Sequence, residues 1–356
     1  MNFDLSDEQR MLQDTLRRML QAQAAESGSV WAQLAELGVF AALFGEEHGG
    51  FGGTGFDLAV VFEELGRAGV TDPVIDSALI CGCLLGELAV ESHSGLLERI
   101  VAGEVQLAFA HGEPQARYDL NRVETSAKNH VLNGRKSVVV NAEAAEMLLV
   151  SARTAGQADD KSGIALYLVP ADVPGMSLHN YELVDGGRAA DIIFDNVHLS
   201  ENDCLSSDAF SAIENAIAAA IVALCAQTLG SMETAAAMTN EYLGTREQFG
   251  RPIGTFQTLA HRFADMMIEL EQARSAVILA AGNLQAEPLV RDRHISAAKN
   301  LLGRTGKLIA EEAIQMHGGI AMTEEYRLGH FAKRIVMADH RFGDTDHHLE
   351  QFIGLR

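Results

Sequence analysis

The amino-acid sequence predicts a mainly α protein with a central β-domain: an N-terminal helical domain, a middle β-barrel or sandwich, and a C-terminal helical bundle. Two observations predict it. Apolar residues recur at three- and four-residue steps near both ends of the chain, and between about 104 and 200 they give way to short β-branched runs separated by turn residues. The composition agrees, since only 6 Pro against 33 Gly, with an aromatic content of 6%, points to a fold dominated by helices. At roughly 100–200 residues per domain, 356 residues are enough for two or three cores, and the change of texture places domains at 1–103, 104–200 and 205–356.

In the first region, Ser6 followed three residues later by Gln9 reads as a capping box, and Met11, Leu12, Leu16, Met19 and Leu20 then recur at helical spacing. Trp31, Leu34, Leu37 and Phe40 form a second apolar stripe, and Leu58, Val61, Phe62 and Leu65 begin a third helix. The glycine-rich segment from His48 to Gly55 lies just before it. Glycines ahead of a helix are able to cradle phosphate, but no strand leads in and the Lys-Ser/Thr of a P-loop is missing, so the segment reads as an interhelical turn. In the middle region, strands are expected at Leu107–Ala110, Val131–Leu132, Ser137–Val140, Met147–Ser151, Ile164–Val169 and Ile192–Val197. Asn133-Gly134 signals a hairpin, and Gly156–Gly163 is a polar loop. In the third region, Phe256, Leu259, Phe263, Met266, Met267, Leu270, Ala273 and Val277 mark the core side of a long helix, with His261, Asp265, Glu269 and Gln272 opposite.

A formal net charge of −22 argues against nucleic acid and anionic lipid as partners, because both are bound through Lys and Arg. No apolar run approaches the ~20 residues that span a bilayer, and Met1-Asn-Phe-Asp-Leu5 has no basic stretch followed by an apolar one, so neither a membrane span nor a signal peptide is expected. Cys81, Cys83, Cys204 and Cys225 show no paired metal spacing and read as buried or incidental thiols of a cytoplasmic protein. Arg246, Arg251, Arg262, Arg274, Arg291, Arg293, Lys299, Arg304 and Lys307 all fall in the last third. Most read as solvated helix faces, yet this concentration leaves room for an anionic small ligand.

Two segments of that last third carry more than periodicity. Tyr242-Leu-Gly-Thr-Arg246-Glu-Gln-Phe249-Gly250-Arg-Pro-Ile-Gly-Thr-Phe256-Gln257 and Gln315-Met316-His317-Gly318-Gly319-Ile-Ala-Met-Thr-Glu-Glu-Tyr326 resemble, in content, order and separation, motifs of the acyl-CoA dehydrogenase family. Leu132-Asn-Gly-Arg-Lys136 fits the same resemblance, which covers nearly the whole chain and is strongest to the small subunits of two-subunit enzymes such as pimeloyl-CoA dehydrogenase. It implies FAD as cofactor and α,β-desaturation of an acyl-CoA, with electron-transfer flavoprotein as the electron partner. Arg246 stands where the family contacts the FAD diphosphate, a role for which a planar guanidinium is suited. Phe249, Gln257, Gln315, His317, Gly318, Gly319 and Thr345 are the further cofactor contacts that the resemblance implies. Gly318 and Gly319 would let backbone approach a ligand with no Cβ between. In the family this set reaches across a dimer interface to the FAD of the neighbouring subunit.

The departures from the family are informative. Its reaction needs a carboxylate base for the substrate α-proton while the flavin takes the β-hydride. The usual base lies in a Tyr-Glu-Gly-Thr-like segment, here Phe342-Gly343-Asp344-Thr345, which puts Gly343 at its place. The alternative family position falls on Ala220. Neither residue accepts a proton. Asp344, one residue on, is the candidate replacement, although an aspartate there also reads as a helix start. In the β-region the family's Thr-Glu-Pro…Gly-Ser-Asp and Trp-Ile-Ser/Thr segments correspond to His111-Gly-Glu-Pro-Gln-Ala-Arg117-Tyr118-Asp119 and Ser137-Val-Val-Val140-Asn, so the glutamate and proline remain while the small hydroxyls and the tryptophan do not. The run Asp339–His348 has ligand types for zinc or iron, but adjacent His347 and His348 point about a hundred degrees apart on a helix, and no metal is expected. The expected function is therefore a small subunit that completes the FAD site of a homologous large subunit carrying the glutamate, as a dimer or an α2β2 tetramer. A self-sufficient homodimer using Asp344, and a non-catalytic binding or structural protein on the same scaffold, are the alternatives.

Overall fold

The computed structural model describes residues 4–23, 28–88 and 93–355. Met1, Asn2 and Phe3, which entered the signal-peptide reading, and Arg356 at the end of the third region lie outside the described residues. The order of elements is helical, then β, then helical again. Helices α1 (Asp7–Gln23), α2 (Trp31–Glu36), α3 (Gly55–Ala68), α4 (Cys81–Leu88) and α5 (Ser94–Val101) come first. Strands β1 (Leu107–Ala110), β2 (Ser126–Lys128), β3 (Val131–Val140), β4 (Met147–Arg153), β5 (Ile164–Pro170), β6 (Met176–Glu182), β7 (Arg188–His198) and β8 (Cys204–Ser206) follow. Then come α6 (Phe210–Thr245), the short strands β9 (Glu247–Gln248) and β10 (Arg251–Pro252), and α7 (Gln257–Gly282), α8 (Pro288–His317), α9 (Leu328–Asp339) and α10 (Thr345–Gly354). By contact the chain divides into two compact units, one of Met1–Gly28, Thr54–Val70 and Ile221–Arg356, the other of Ser29–Gly53 and Thr71–Ala220.

The first unit is helical. The Ser6–Gln9 capping box forms as the sequence predicts: Gln9 Oε1 accepts from the Ser6 amide at 3.0 Å and Ser6 Oγ from the Gln9 amide at 3.1 Å. Thr54 and Asp57 cap α3 in the same reciprocal way. Leu16, Leu20, Leu58, Val61, Phe62 and Leu65 are buried, as are Met266, Leu270, Ala273 and Val277 of α7. The N-terminal half of that stripe behaves differently, with Leu259, Phe263 and Met267 only half-buried and Ile268 exposed. Arg67 ion-pairs with Glu63, Glu64 and Glu233, while Arg17 joins Glu64 and Arg274 joins Glu233. Helix α6 corrects the reading that no apolar stretch reaches membrane-spanning length: an 18-residue window within it has mean hydropathy 1.6. That window is 83% buried inside the protein, as a core helix would be.

The second unit is built on one eight-stranded sheet in the order β6-β7-β3-β2-β4-β5-β8, with β1 added parallel to β4. Strands β4 and β5 are buried along nearly their whole length, which is why they read as unbroken apolar runs. Two corrections concern β3. It is one strand rather than two short ones, and the hairpin joining it to β2 turns at Asn129-His130 (φ 51° and 60°), not at Asn133-Gly134. Asn133-Gly134 instead marks a register shift opposite β7, where Asn133 Oδ1 accepts from the Asn196 amide at 2.8 Å. The glycine-rich turn before α3 is packed against itself: a Cβ on Gly50 would lie 2.1 Å from the Phe44 carbonyl oxygen, and one on Gly52 2.2 Å from that of Ala42. Such a turn is filled by its own backbone and leaves no phosphate cradle. All four cysteines are free thiols, Cys81 and Cys225 buried.

Candidate functional site

The first motif folds into a hairpin at the end of α6. Strands β9 and β10 pair with Arg251 opposite Gln248 and Pro252 opposite Glu247, leaving Phe249-Gly250 as the two-residue turn at φ 53° and 76°. A turn of that kind needs both residues left-handed. Gly250 adopts this freely, whereas a phenylalanine there is strained. Phe249 is also 92% exposed. Its only ring neighbour among the described residues is Phe256, edge-on at 6.1 Å, over which the Arg251 guanidinium sits at 4.2 Å. The Ile253 amide donates to the Arg246 carbonyl at 2.8 Å and so anchors the hairpin root. The Arg246 side chain is exposed and makes no hydrogen bond or ion pair with the described residues, and Gln257, the first residue of α7, is exposed as well.

The second motif is the C-terminal corner of α8. Gln315 is exposed, while His317 turns inward and is 4% exposed. Its Nδ1 lies 2.8 Å from the Ala313 carbonyl, and its ring stacks on Tyr242 (4.5 Å, 24°) and leans on Tyr326 (5.4 Å, 54°). Gly318 closes the helix at φ 69°, ψ −147°, a conformation essentially reserved for glycine. Gly318 and Gly319 are exposed, and a Cβ on either would have nothing within 4 Å among the described residues.

The two positions that the sequence resemblance implies for a base lie elsewhere. Ala220 is fully buried within α6. Gly343 precedes α10 at φ 111°, and a Cβ there would lie 2.6 Å from His347 Cδ2 and His348 Nε2. The Gly343 carbonyl accepts from Lys299 Nζ at 2.8 Å, and the same ammonium donates to the Asp339 carbonyl at 3.0 Å. Asp344 is the N-cap of α10, accepting from the His347 amide at 2.8 Å. Thr345 donates its hydroxyl to Asp339 at 2.8 Å. Among the described residues, no three His, Cys, Asp or Glu side chains are grouped to hold a metal ion.

In the β-region, two remnants of sequence motifs turn out to be one buried cluster. Lys136 is fully buried and donates to Glu113 Oε1 at 2.8 Å, Ser151 Oγ at 3.0 Å and the His111 carbonyl at 3.0 Å. Glu113 also accepts from the amides of Glu124 and Thr125 and from Gln115. Burial alone would raise the Glu113 carboxyl, but Lys136 and these donors hold it below the usual range. Ser151 Oγ accepts from Lys136 and shares a hydrogen bond with His111 Nδ1, 2.8 Å away. Val138, in the segment where the family has Trp-Ile-Ser/Thr, is 57% exposed at φ 54°.

Sequence models of the acyl-CoA dehydrogenase N-terminal, middle and C-terminal domains match residues 6–104, 108–197 and 210–352. The chain belongs to the acyl-CoA dehydrogenase family. The probable acyl-CoA dehydrogenase YngJ of Bacillus subtilis (strain 168) is 28% identical over 349 residues, covering 92% of each chain. Butyryl-CoA dehydrogenase from Megasphaera elsdenii superposes with a TM-score of 0.90 at 24% identity over 99% of each chain. The ChsE4-ChsE5 complex from Mycobacterium tuberculosis gives 0.86 at 22% identity, over 99% of this chain and 98% of that one. At such identities the two structures establish the shared fold.

Within this acyl-CoA dehydrogenase fold, sequence reasoning missed Lys299 and Arg291, both read as surface charges and both buried. Lys299 had a signal: Ile295, Ala298, Lys299 and Leu302 fall at i, i+3, i+4 and i+7, on one helix face. It also missed two buried imidazoles. Burial, with Lys136 nearby, takes His111 down to about 3, and burial, with Lys299 nearby, takes His348 down to about 4. Both rings are thus neutral in the folded chain below the ordinary value of 6.5. Between pH 6.5 and about 4, the unfolded chain binds two protons that the folded chain does not. Stability should therefore fall as the pH is lowered from 6.5 to about 4, by up to about 1.4 kcal/mol per pH unit for each histidine. Urea unfolding at stepped pH measures this, and a midpoint that does not move would show the rings to be solvated.

Proposed function

We propose that this chain is the non-catalytic small subunit of a heteromeric, FAD-dependent acyl-CoA dehydrogenase that desaturates an acyl-CoA at the α,β-bond. The observation that carries the proposal is the base position: Gly343 offers no acceptor, and His347 and His348 occupy the space a side chain would need. Ala220 offers none either, and the Asp344 carboxylate is committed to capping α10. A homologous large subunit would supply the glutamate. In this reading residues 1–103, 104–200 and 205–356 are the three domains, the assembly is a dimer or α2β2 tetramer in the cytoplasm, and electron-transfer flavoprotein takes the electrons.

The residues present fit one half of FAD better than the other. An uncommitted guanidinium at Arg246, an exposed ring at Phe249, the amides of Gln257 and Gln315, and the open backbone of Gly318-Gly319 suit a diphosphate and an adenine face. They point out of this chain, as a site shared with a partner requires. The flavin ring would supply the hydride acceptor, and for it this chain offers Ser137, Val138, Val139 and Val140 in place of an indole and hydroxyls.

Two measurements test the proposal. The purified chain alone should not desaturate straight-chain acyl-CoAs, while co-expression with a glutamate-bearing homologue should yield an active yellow complex. In that complex Arg246→Ala should weaken FAD retention by ~10- to 100-fold, since a charged hydrogen bond is worth roughly 1.5–3 kcal/mol. Arg246→Lys should fall between, because a point charge cannot reproduce the fork. Flavin bleaching by acyl-CoA in the lone chain, at about one turnover per second or faster, would overturn the assignment.

A further inference from the structure

We infer that His317 is a positioning residue, whose buried imidazole sets the hairpin root at Arg246 and the Gly318-Gly319 corner in one fixed relation. The inference rests on the reading above that these two elements face FAD. His317 belongs to the second motif by sequence, but at 4% exposure its ring does not reach a ligand at the surface. It acts through what it touches.

Three segments meet on that ring. Tyr242, stacked on it at 4.5 Å, lies one helical turn before Arg246, whose amide donates to the Tyr242 carbonyl at 2.8 Å. The Arg246 carbonyl in turn receives the Ile253 amide from the far side of the hairpin. Gly318 follows His317 directly, so the packing that seats His317 also sets where the glycine corner begins. Tyr326 closes the third side at 5.4 Å, beyond the single turn Gly318–Met322. The Nδ1 contact with the Ala313 carbonyl, 2.8 Å away and four residues back, fixes the ring plane. Nε2 is sealed from solvent and faces the Met238 backbone carbonyl. Stacking on Tyr242 and the lean on Tyr326 hold the ring's faces. Misplacement of a binding group by ~1 Å is enough to lose about a hundredfold in a positioned site.

The test separates stacking from volume and from cofactor contact. His317→Ala, His317→Phe and Tyr242→Leu are made in the full chain. Hydrogen exchange at the Ile253 amide and native-state trypsin cleavage after Arg246 report the hairpin root without any cofactor. His317→Ala and Tyr242→Leu should each speed both by ~10-fold or more, beyond what the loss of global stability read from urea unfolding accounts for. His317→Phe keeps the stack and should stay within about threefold of wild type. FAD retention in the complex with the glutamate-bearing homologue should follow the same order. An Ala variant with wild-type exchange and cleavage overturns the inference, as does a Phe variant as loose as the Ala variant. If the root loosens as expected but FAD retention is unchanged in both His317→Ala and Arg246→Ala, positioning stands and the FAD reading fails. If Arg246→Ala loses FAD while His317→Ala keeps both FAD and a tight root, the reading stands and the positioning role fails.

Discussion

Lys136→Met is expected to lower the unfolding free energy of the β-sheet unit by about 3–5 kcal/mol, the cost typical of removing one member of a buried ion pair. The expected size follows from what remains. Glu113 is 5% exposed and would keep its charge in a low-dielectric site, still held by the amides of Glu124 and Thr125 but without its counter-ion. The His111 carbonyl and Ser151 Oγ would also each lose a donor. Adding Glu113→Gln should recover part of the loss, because a neutral amide still accepts from both backbone amides and no longer strands a charge. The check is urea denaturation of the two variants side by side. A loss below about 1 kcal/mol for the single variant would mean that water reaches the pair, as at exposed ion pairs. The same geometry settles how to read the motif remnants. Glu113-Pro114 and Asn133-Gly134-Arg135-Lys136 meet at one ion pair, so their presence reports an intact sheet and says nothing about a flavin pocket.

That pair also shows what the sequence disclosed and what it hid. Periodicity found α1, α3 and α7, as with Leu16 and Leu20 or Met266 to Val277, and marked no stripe on α9, where Leu328, Phe331, Ala332 and Ile335 are buried. It found strands β4 and β5 because both their faces are buried and the residues run apolar. It missed β6, where Met176–Glu182 alternates half-buried and exposed positions and carries Ser177, His179 and Asn180, so that only pairing with β7 defines it. The strong local hairpin signal at Asn133-Gly134 lost to Asn129-His130 because register is a tertiary property: a Cβ at Gly134 would lie 2.6 Å from Thr125 Cα, and glycine is needed there for the crossing. For the candidate residues, the sequence offers names but not their arrangement. Arg246, Phe249, Gln257 and Gln315 are exposed, as ligand contacts would be, whereas His317 is inside and the Thr345 hydroxyl is held by Asp339. Residue type names a chemistry, and only packing tells which way a side chain faces. Lys299 is the clearest case, a cation on an apolar stripe whose partners are two carbonyls 40 and 44 residues away.

Gly343→Glu restores a carboxylate at the family position, and the expected result is a less stable chain that still does not desaturate acyl-CoA. Gly343 sits at φ 111°, where an L-residue costs of order 1–3 kcal/mol. A side chain there must also displace His348, whose Nε2 and Cδ2 lie 2.6 and 2.9 Å from the new Cβ and whose ring is pinned by the Phe342 carbonyl at 3.0 Å. Moving this turn would disturb the Lys299 contacts to Asp339 and Gly343, leaving a buried ammonium short of acceptors. Gly343→Ala is the control, since it carries the backbone strain and the Cβ contact without the carboxylate. Both variants should lose similar stability, so that most of the cost belongs to the backbone and the first carbon. Activity is read as acyl-CoA-dependent reduction of an artificial electron acceptor across several chain lengths. A base acts only when the α-proton is within hydrogen-bond reach and the hydride acceptor faces the β-carbon, and the residues at 137–140 lack the groups that would hold that acceptor. Strong activity in Gly343→Glu alone would show that the redox pocket is whole and that the glutamate was all this chain lacked, which would remove the main support for a two-subunit enzyme.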